Sequence, residues 1–170
     1  MTWVEGISDE NLAMAGIVVV FCITLALLLE YFFPLEPKYP KMFQSDPTIK
    51  NKTREELIAL APRDPKLPLM TLEDLAKCSG RKGEKAYVAC KGVVYDCSAN
   101  EVYKSDGGYN CFAGKDATMA LGTMLFERSG DSGWREKLNH EQLCVVAEWV
   151  CWYEQRYKKV AYLAEEYGDQ

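Results

Sequence analysis

The stretch YNCFAGKDAT, residues 109–118, sets a tyrosine ahead of a small Phe-Ala-Gly turn and a charged, acidic first turn, and so reads as the start of a helix. The chemistry open to Tyr109 is bounded by the rest of the chain. There is one histidine, His140, and no cysteine pair at zinc spacing, so the common nitrogen and sulfur ligand sets are missing. Tyr109 is therefore either an ordinary packing residue or a group doing work that other proteins give to histidine. Tyrosines at loop–helix junctions are usually packing residues with a hydrogen-bonded hydroxyl, and the residue alone leaves both readings open. No Ser/His/Asp set and no glycine-rich phosphate loop occurs, and His140 lies in the polar stretch LNHEQ. No nucleophilic catalysis is expected, and the chain is not expected to be an enzyme.

The elements that must hold Tyr109 follow from patterning. Residues 69–170 read as one folded domain. MTLEDLAKCSG offers Thr71 as N-cap, an acidic first turn and a Gly stop, hence a short helix. KAYVACKGVVYDCS is rich in Val and Tyr and is broken at Lys91-Gly92, which predicts a hairpin. The polar loop ANEVYKSDGG leads into the Tyr109 segment, and Met119, Leu121, Met124 and Leu125 supply the apolar face of the helix expected there. After the loop RSGDSGW, Asn139 with Gln142 makes a capping box. It opens the longest helix, whose core stripe runs Leu143, Val146, Ala147, Val150, Tyr153 and Tyr157. The order is that of an α+β domain.

Ahead of the domain the composition changes twice. From Ala13 to Leu29 there is no charged residue, and YFF carries the apolar run past Glu30 to Phe33. About 20 residues suffice to span a bilayer core, so 13–33 is expected to be a single transmembrane helix behind a short tail, 1–12. The first cations, Lys38, Lys41, Lys50 and Lys52, follow the run, which puts the C-terminal portion on the cytosolic side or its organellar equivalent. Residues 34–68 are proline-rich with mixed charges and read as an extended tether. It holds one short helix at TREELIALA, capped by Thr53 with Glu56 three residues on. Seven cysteines, an odd number without CxxC, argue for reduced thiols. A net charge of −5 argues against a nucleic-acid partner.

The string LEDLAKCSGRKGEKAYVACKGVVYDCS resembles the cytochrome b5 fold. An electron-transfer cytochrome b5 holds haem between two histidines, one in His-Pro-Gly-Gly, and a chain with one histidine is excluded from that group. The segments VYKSDGGYNCFAGKDAT and EWVCWYEQRYKKVAYL instead resemble the membrane-associated progesterone receptor branch of the b5-like haem/steroid-binding domains, over about residues 70–167. That resemblance implies haem b as cofactor, with the iron-ligating tyrosine falling on Tyr109. The family's supporting tyrosine falls on Tyr103, and its Lys-Tyr pair on Arg156 and Tyr157, where Lys has become Arg. It also implies a membrane-anchored adaptor that binds haem and a sterol-like ligand and touches membrane partners such as cytochromes P450. A haem-mediated homodimer is implied as well, in the endoplasmic reticulum membrane, single-pass with a cytosolic domain; a mitochondrial membrane is the alternative site. The rival reading is a haem-free b5-like structural or assembly subunit.

The implied chemistry is specific. A phenolate is a hard anionic ligand that favours ferric iron, and a free phenol, with a pKa of about 10, needs the metal and a nearby donor to lose its proton. Tyr157 or Tyr103 would hydrogen-bond that oxygen, Arg156 would pair with a propionate, and Met119, Leu121 and Met124 would give apolar cover. Cys111 is a thiolate rival.

Overall fold

The computed structural model describes residues 46–168. The apolar run at 13–33 and the first part of the expected tether lie outside the described residues. Among the described residues no helix is long and apolar enough to cross a membrane.

In chain order the elements are α1 (Pro47–Lys50), α2 (Arg54–Ile58), β1 (Leu69–Met70), α3 (Leu72–Ala76), β2 (Tyr87–Cys90), β3 (Val93–Asp96), β4 (Lys115–Asp116), α4 (Thr118–Thr123), α5 (Trp134–Lys137), α6 (His140–Arg156), β5 (Lys158–Leu163) and α7 (Ala164–Tyr167). The expected hairpin is β2–β3. Lys91 and Gly92 both take positive φ, 51° and 78°, the pair of left-handed residues that lets a two-residue turn match the twist of its strands. Five strands form one sheet in the order β1-β5-β3-β2-β4. The pairs β1–β5 and β2–β4 are parallel, and β2–β3 and β3–β5 are antiparallel. Side chains alternate across it: Val88, Cys90, Val93 and Tyr95 join the larger core, and Tyr87, Ala89 and Val94 a smaller one with Leu75, Ala161 and Leu163.

The caps expected at Thr71, Thr53–Glu56 and Asn139–Gln142 are formed, the last two as reciprocal boxes. Other expectations are corrected. The segment 109–118 is not the start of a helix. A 3₁₀ turn, Asn110–Phe112, is followed by Gly114 at φ 76° and then by strand β4. The helix begins only at Thr118, whose backbone N–H donates to the Asp116 carboxylate at 3.0 Å. Met124 is left-handed at φ 56° and closes α4, so Leu125 swings out to solvent instead of joining Met119 and Leu121 in the core. The chain after Arg156 leaves the helix and returns as β5, a strand not foreseen.

The tether is also corrected where it is described. Residues 46–68 lie on the domain: Ile49 is 7% and Leu57 2% exposed, both within the larger core. Arg54 donates to the Leu138 carbonyl at 2.9 Å and to that of Arg135. Prolines made this stretch look extended, but they flank the anchoring side chains, Pro47 opening α1 and Pro62, Pro65 and Pro68 following Leu57, so the two short helices between them are free to dock.

Asp116 gives the fold a pH dependence. Burial pushes its carboxyl up to about 6 from the ordinary 3.8, against the hydrogen bonds from Thr118; Glu166 raises it further and Arg135 lowers it. The folded state thus holds this proton more tightly than the unfolded chain. Its stabilising contribution is complete below about 3.8 and is lost as pH rises through about 6. Asp116→Asn keeps an acceptor for Thr118 without the charge. We expect it to flatten the stability profile across that window and to be neutral or stabilising by about 1–3 kcal/mol at pH 7, read by urea melts at pH 4, 5, 6 and 7.

Candidate functional site

Three of the four candidate residues converge. Tyr103 ends a 3₁₀ turn, Glu101–Tyr103, capped by Asn100, and is fully buried. Tyr109 stands at the far end of the same loop, its N–H donating to the Val102 carbonyl at 2.9 Å. Tyr157 caps the C-terminus of α6. The ring of Tyr103 lies 5.9 Å from that of Tyr109 and 5.9 Å from that of Tyr157. Arg156 is not brought into this group: it is exposed, its guanidinium lying 4.6 Å from the Trp152 ring centroid. Trp152 in turn packs on Tyr157 at 5.5 Å.

The hydroxyls differ from the expected arrangement. Tyr103 shares a 3.2 Å hydrogen bond with Tyr153, and Tyr157 accepts one from the Asn100 side chain at 2.8 Å. Neither reaches the Tyr109 oxygen, which has no hydrogen bond among the described residues. Burial pushes the phenols of Tyr103 and Tyr153 well above the ordinary range. Without a metal they stand as neutral hydrogen-bonding groups. Burial likewise raises the Cys111 thiol, partly offset by Lys115 and by backbone hydrogen bonds. His140 contacts the Lys52 carbonyl at 2.9 Å at the start of α6 and is part of the arm's seat.

The surface beside Tyr109 is apolar and open. Its ring meets Phe112 at 5.7 Å and Phe126 at 6.0 Å, and those two meet at 5.1 Å. Tyr109 is 37%, Phe126 45% and Leu125 47% exposed, high values for large apolar side chains. Met119 and Leu121 are buried in the larger core, as is Phe112. Sequence reasoning missed Phe126, Tyr153 and Asn100. Tyr153 was legible only as part of the α6 stripe, and Asn100 and Phe126 sat in segments with no periodic signal. A separate concavity of about 620 Å³ opens on the other flank of the loop, walled by Lys85, Glu101, Lys104 and Asp106. None of the four candidate residues lines it.

The Tyr109 phenol, with no hydrogen bond among the described residues and exposed Phe126 beside it, offers one oxygen donor on an apolar surface, the type of donor that some haem irons take. Among the described residues no group of three His, Cys, Asp or Glu side chains could hold a bare metal ion.

Comparison with known proteins places the domain among relatives. Residues 71–148 match the Cytochrome b5-like Heme/Steroid binding domain. The chain is 34% identical over 103 residues to the neuferricin homolog of Caenorhabditis elegans, covering 59% of this chain and 32% of that protein. It thus spans about a third of that relative's length. It is 34% identical over 106 residues to membrane steroid-binding protein 2 of rice (59% of this chain, 40% of that one). With the cytochrome P450 regulator dap1 of Schizosaccharomyces pombe it shares 28% over 123 residues, 67% and 74% of the two chains. A solved structure from Arabidopsis thaliana, described as having a cytochrome b5 like fold, superposes with a TM-score of 0.52 at 30% identity, covering 62% of this chain and 98% of that one. On its fold and these relatives, the chain belongs to the membrane-associated progesterone receptor family of cytochrome b5-like haem/steroid-binding domain proteins.

Proposed function

We propose that this protein is a membrane-attached adaptor that carries haem on the Tyr109 face and acts on membrane partners such as cytochromes P450. One observation carries the reading: Tyr109 is fixed by three aromatic neighbours, yet its oxygen has no hydrogen-bond partner among the described residues. Bound haem would supply a flat apolar ring and a ferric iron that accepts a phenolate oxygen. Phe112, Phe126 and Tyr103 hold the Tyr109 ring, Tyr103 and Tyr153 stay protonated behind it, and exposed Arg156 offers a cation for a carboxylate at the rim. The same surface suits a sterol-like ligand, in keeping with the steroid-binding name of the rice relative. Membrane attachment rests on the apolar run at 13–33 and on that relative's membrane designation. The partner class rests on the name of dap1.

A second reading, a haem-free interaction module, draws on one fact: the Tyr103 and Tyr157 hydroxyls are committed to Tyr153 and Asn100 and lend no bond to Tyr109. Titration of the purified chain with ferric haem separates the two. A saturable change ending in the weak, broad ferric spectrum of tyrosinate ligation is expected. Haem that never saturates the protein, or only partitions into detergent, would favour the module.

A further inference from the structure

We infer that Asn110 is a positioning residue that sets where the Tyr109 phenol stands, an inference that rests on Tyr109 being the haem-binding group. Its side-chain amide donates to the carbonyls of Ser79 and Tyr103, both at 2.9 Å. Both amide hydrogens are thus committed, to segments 31 and 7 residues away. Its backbone N–H closes on Gly107 at 3.1 Å, while the Tyr109 N–H closes on Val102 at 2.9 Å. The peptide joining Tyr109 to Asn110 is therefore tied to the loop that carries Tyr103 and, through one side chain, to the turn after α3.

The junction has little slack. Gly80 takes φ 70°, and a Cβ there would lie 2.6 Å from the Tyr103 carbonyl oxygen. The Ser79–Gly80 turn thus closes directly on the carbonyl that Asn110 also grips. Few side chains can replace this clamp: aspartate offers no donors when ionised, serine offers one, and aliphatic residues none. Removing the amide leaves two half-buried carbonyls without their donor and frees the loop between the tyrosines. Because no hydrogen bond of its own fixes the Tyr109 hydroxyl, its direction depends on this backbone and on the three rings around it. A ligating oxygen must be held within a fraction of an ångström to be effective, and the clamp supplies that constraint.

The test uses the full chain labelled with 3-fluorotyrosine, the Tyr109 resonance being assigned from Tyr109→Phe. In Asn110→Ala, and to a smaller degree in Asn110→Ser, the Tyr109 fluorine signal should shift, while that of Tyr95 on the sheet should not. Ferric haem affinity should fall about tenfold or more, with a displaced tyrosinate band. A purely structural role predicts a lower melting temperature with the Tyr109 signal and the band unmoved, and that result overturns the proposal. If Asn110→Ala does not fold, Asn110→Ser decides by the same readings. Should the unaltered chain take up no haem, the haem reading fails by itself, and the fluorine shifts still decide whether Asn110 places the phenol.

Discussion

Tyr109→Phe is expected to lower ferric haem affinity by roughly 100-fold or more, beyond the 10- to 100-fold typical of supporting groups. Unfolding free energy should stay within about 0.5 kcal/mol. The asymmetry follows from the geometry. The ring contacts to Tyr103, Phe112 and Phe126 survive the change, and the deleted hydroxyl makes no hydrogen bond among the described residues. Tyr103→Phe should behave in the opposite sense. It breaks a buried hydrogen bond with Tyr153, which costs about 1 kcal/mol of stability, and touches haem only through the packing of Tyr109. Haem titration and urea melts on the two variants give the four numbers needed. If Tyr109→Phe keeps the spectrum while Arg156→Ala loses it, the iron is held by another group and the proposed ligand is wrong.

A chain beginning at Leu69 should fail to melt cooperatively, and Leu57→Ala alone should cost about 2–4 kcal/mol. Truncation removes two core side chains, Ile49 and Leu57, and the two carbonyl bonds of Arg54. It also strips contacts from the other end of the domain. The Tyr162 hydroxyl accepts from the Asp64 N–H at 3.0 Å, and the Tyr167 hydroxyl donates to the Ala61 carbonyl at 3.0 Å. Losses of this kind add up to a large share of the 5–15 kcal/mol that a typical domain possesses. Circular dichroism melts of the truncated chain and of Leu57→Ala provide the check. A sharp, unchanged transition without residues 46–68 would show that the arm only rests on the surface.

What the sequence made legible was local. Lys91-Gly92 marks a turn by backbone chemistry alone, and Thr53–Glu56 and Asn139–Gln142 mark helix starts by side-chain reach. Tyr103, Tyr109 and Tyr157 were brought forward by resemblance, and they do meet. What stayed hidden depends on partners distant in the chain. Strand β5 carries no Gly or Pro at its entry after Tyr157, and its register is set by β3 and β1. The two-residue strands β1 and β4 are too short to leave a period. The role of residues 46–68 turns on Ile49 and Leu57, two apolar residues separated by the wholly polar KNKTREE and flanked by prolines, so the pattern reads as a linker until α6 is present to receive them. The helix expected at 109–118 was displaced by Gly114 and by the Asp116–Thr118 bond, a choice the residue types permit but do not announce.

The 17 residues of α6 make a rod about 25 Å long. Near its start, His140 and Cys144 receive residues 46–68, and at its end Trp152, Tyr153 and the capping Tyr157 pack into the aromatic cluster that includes Tyr103. Substitutions more than about 7–10 Å apart with no shared partners usually contribute independently, so the energetic effects of changes at the two ends simply sum. Lineages of this chain are therefore free to remodel the aromatic face for a new ligand without a compensating change at the arm's seat, and to alter the arm without retuning the face.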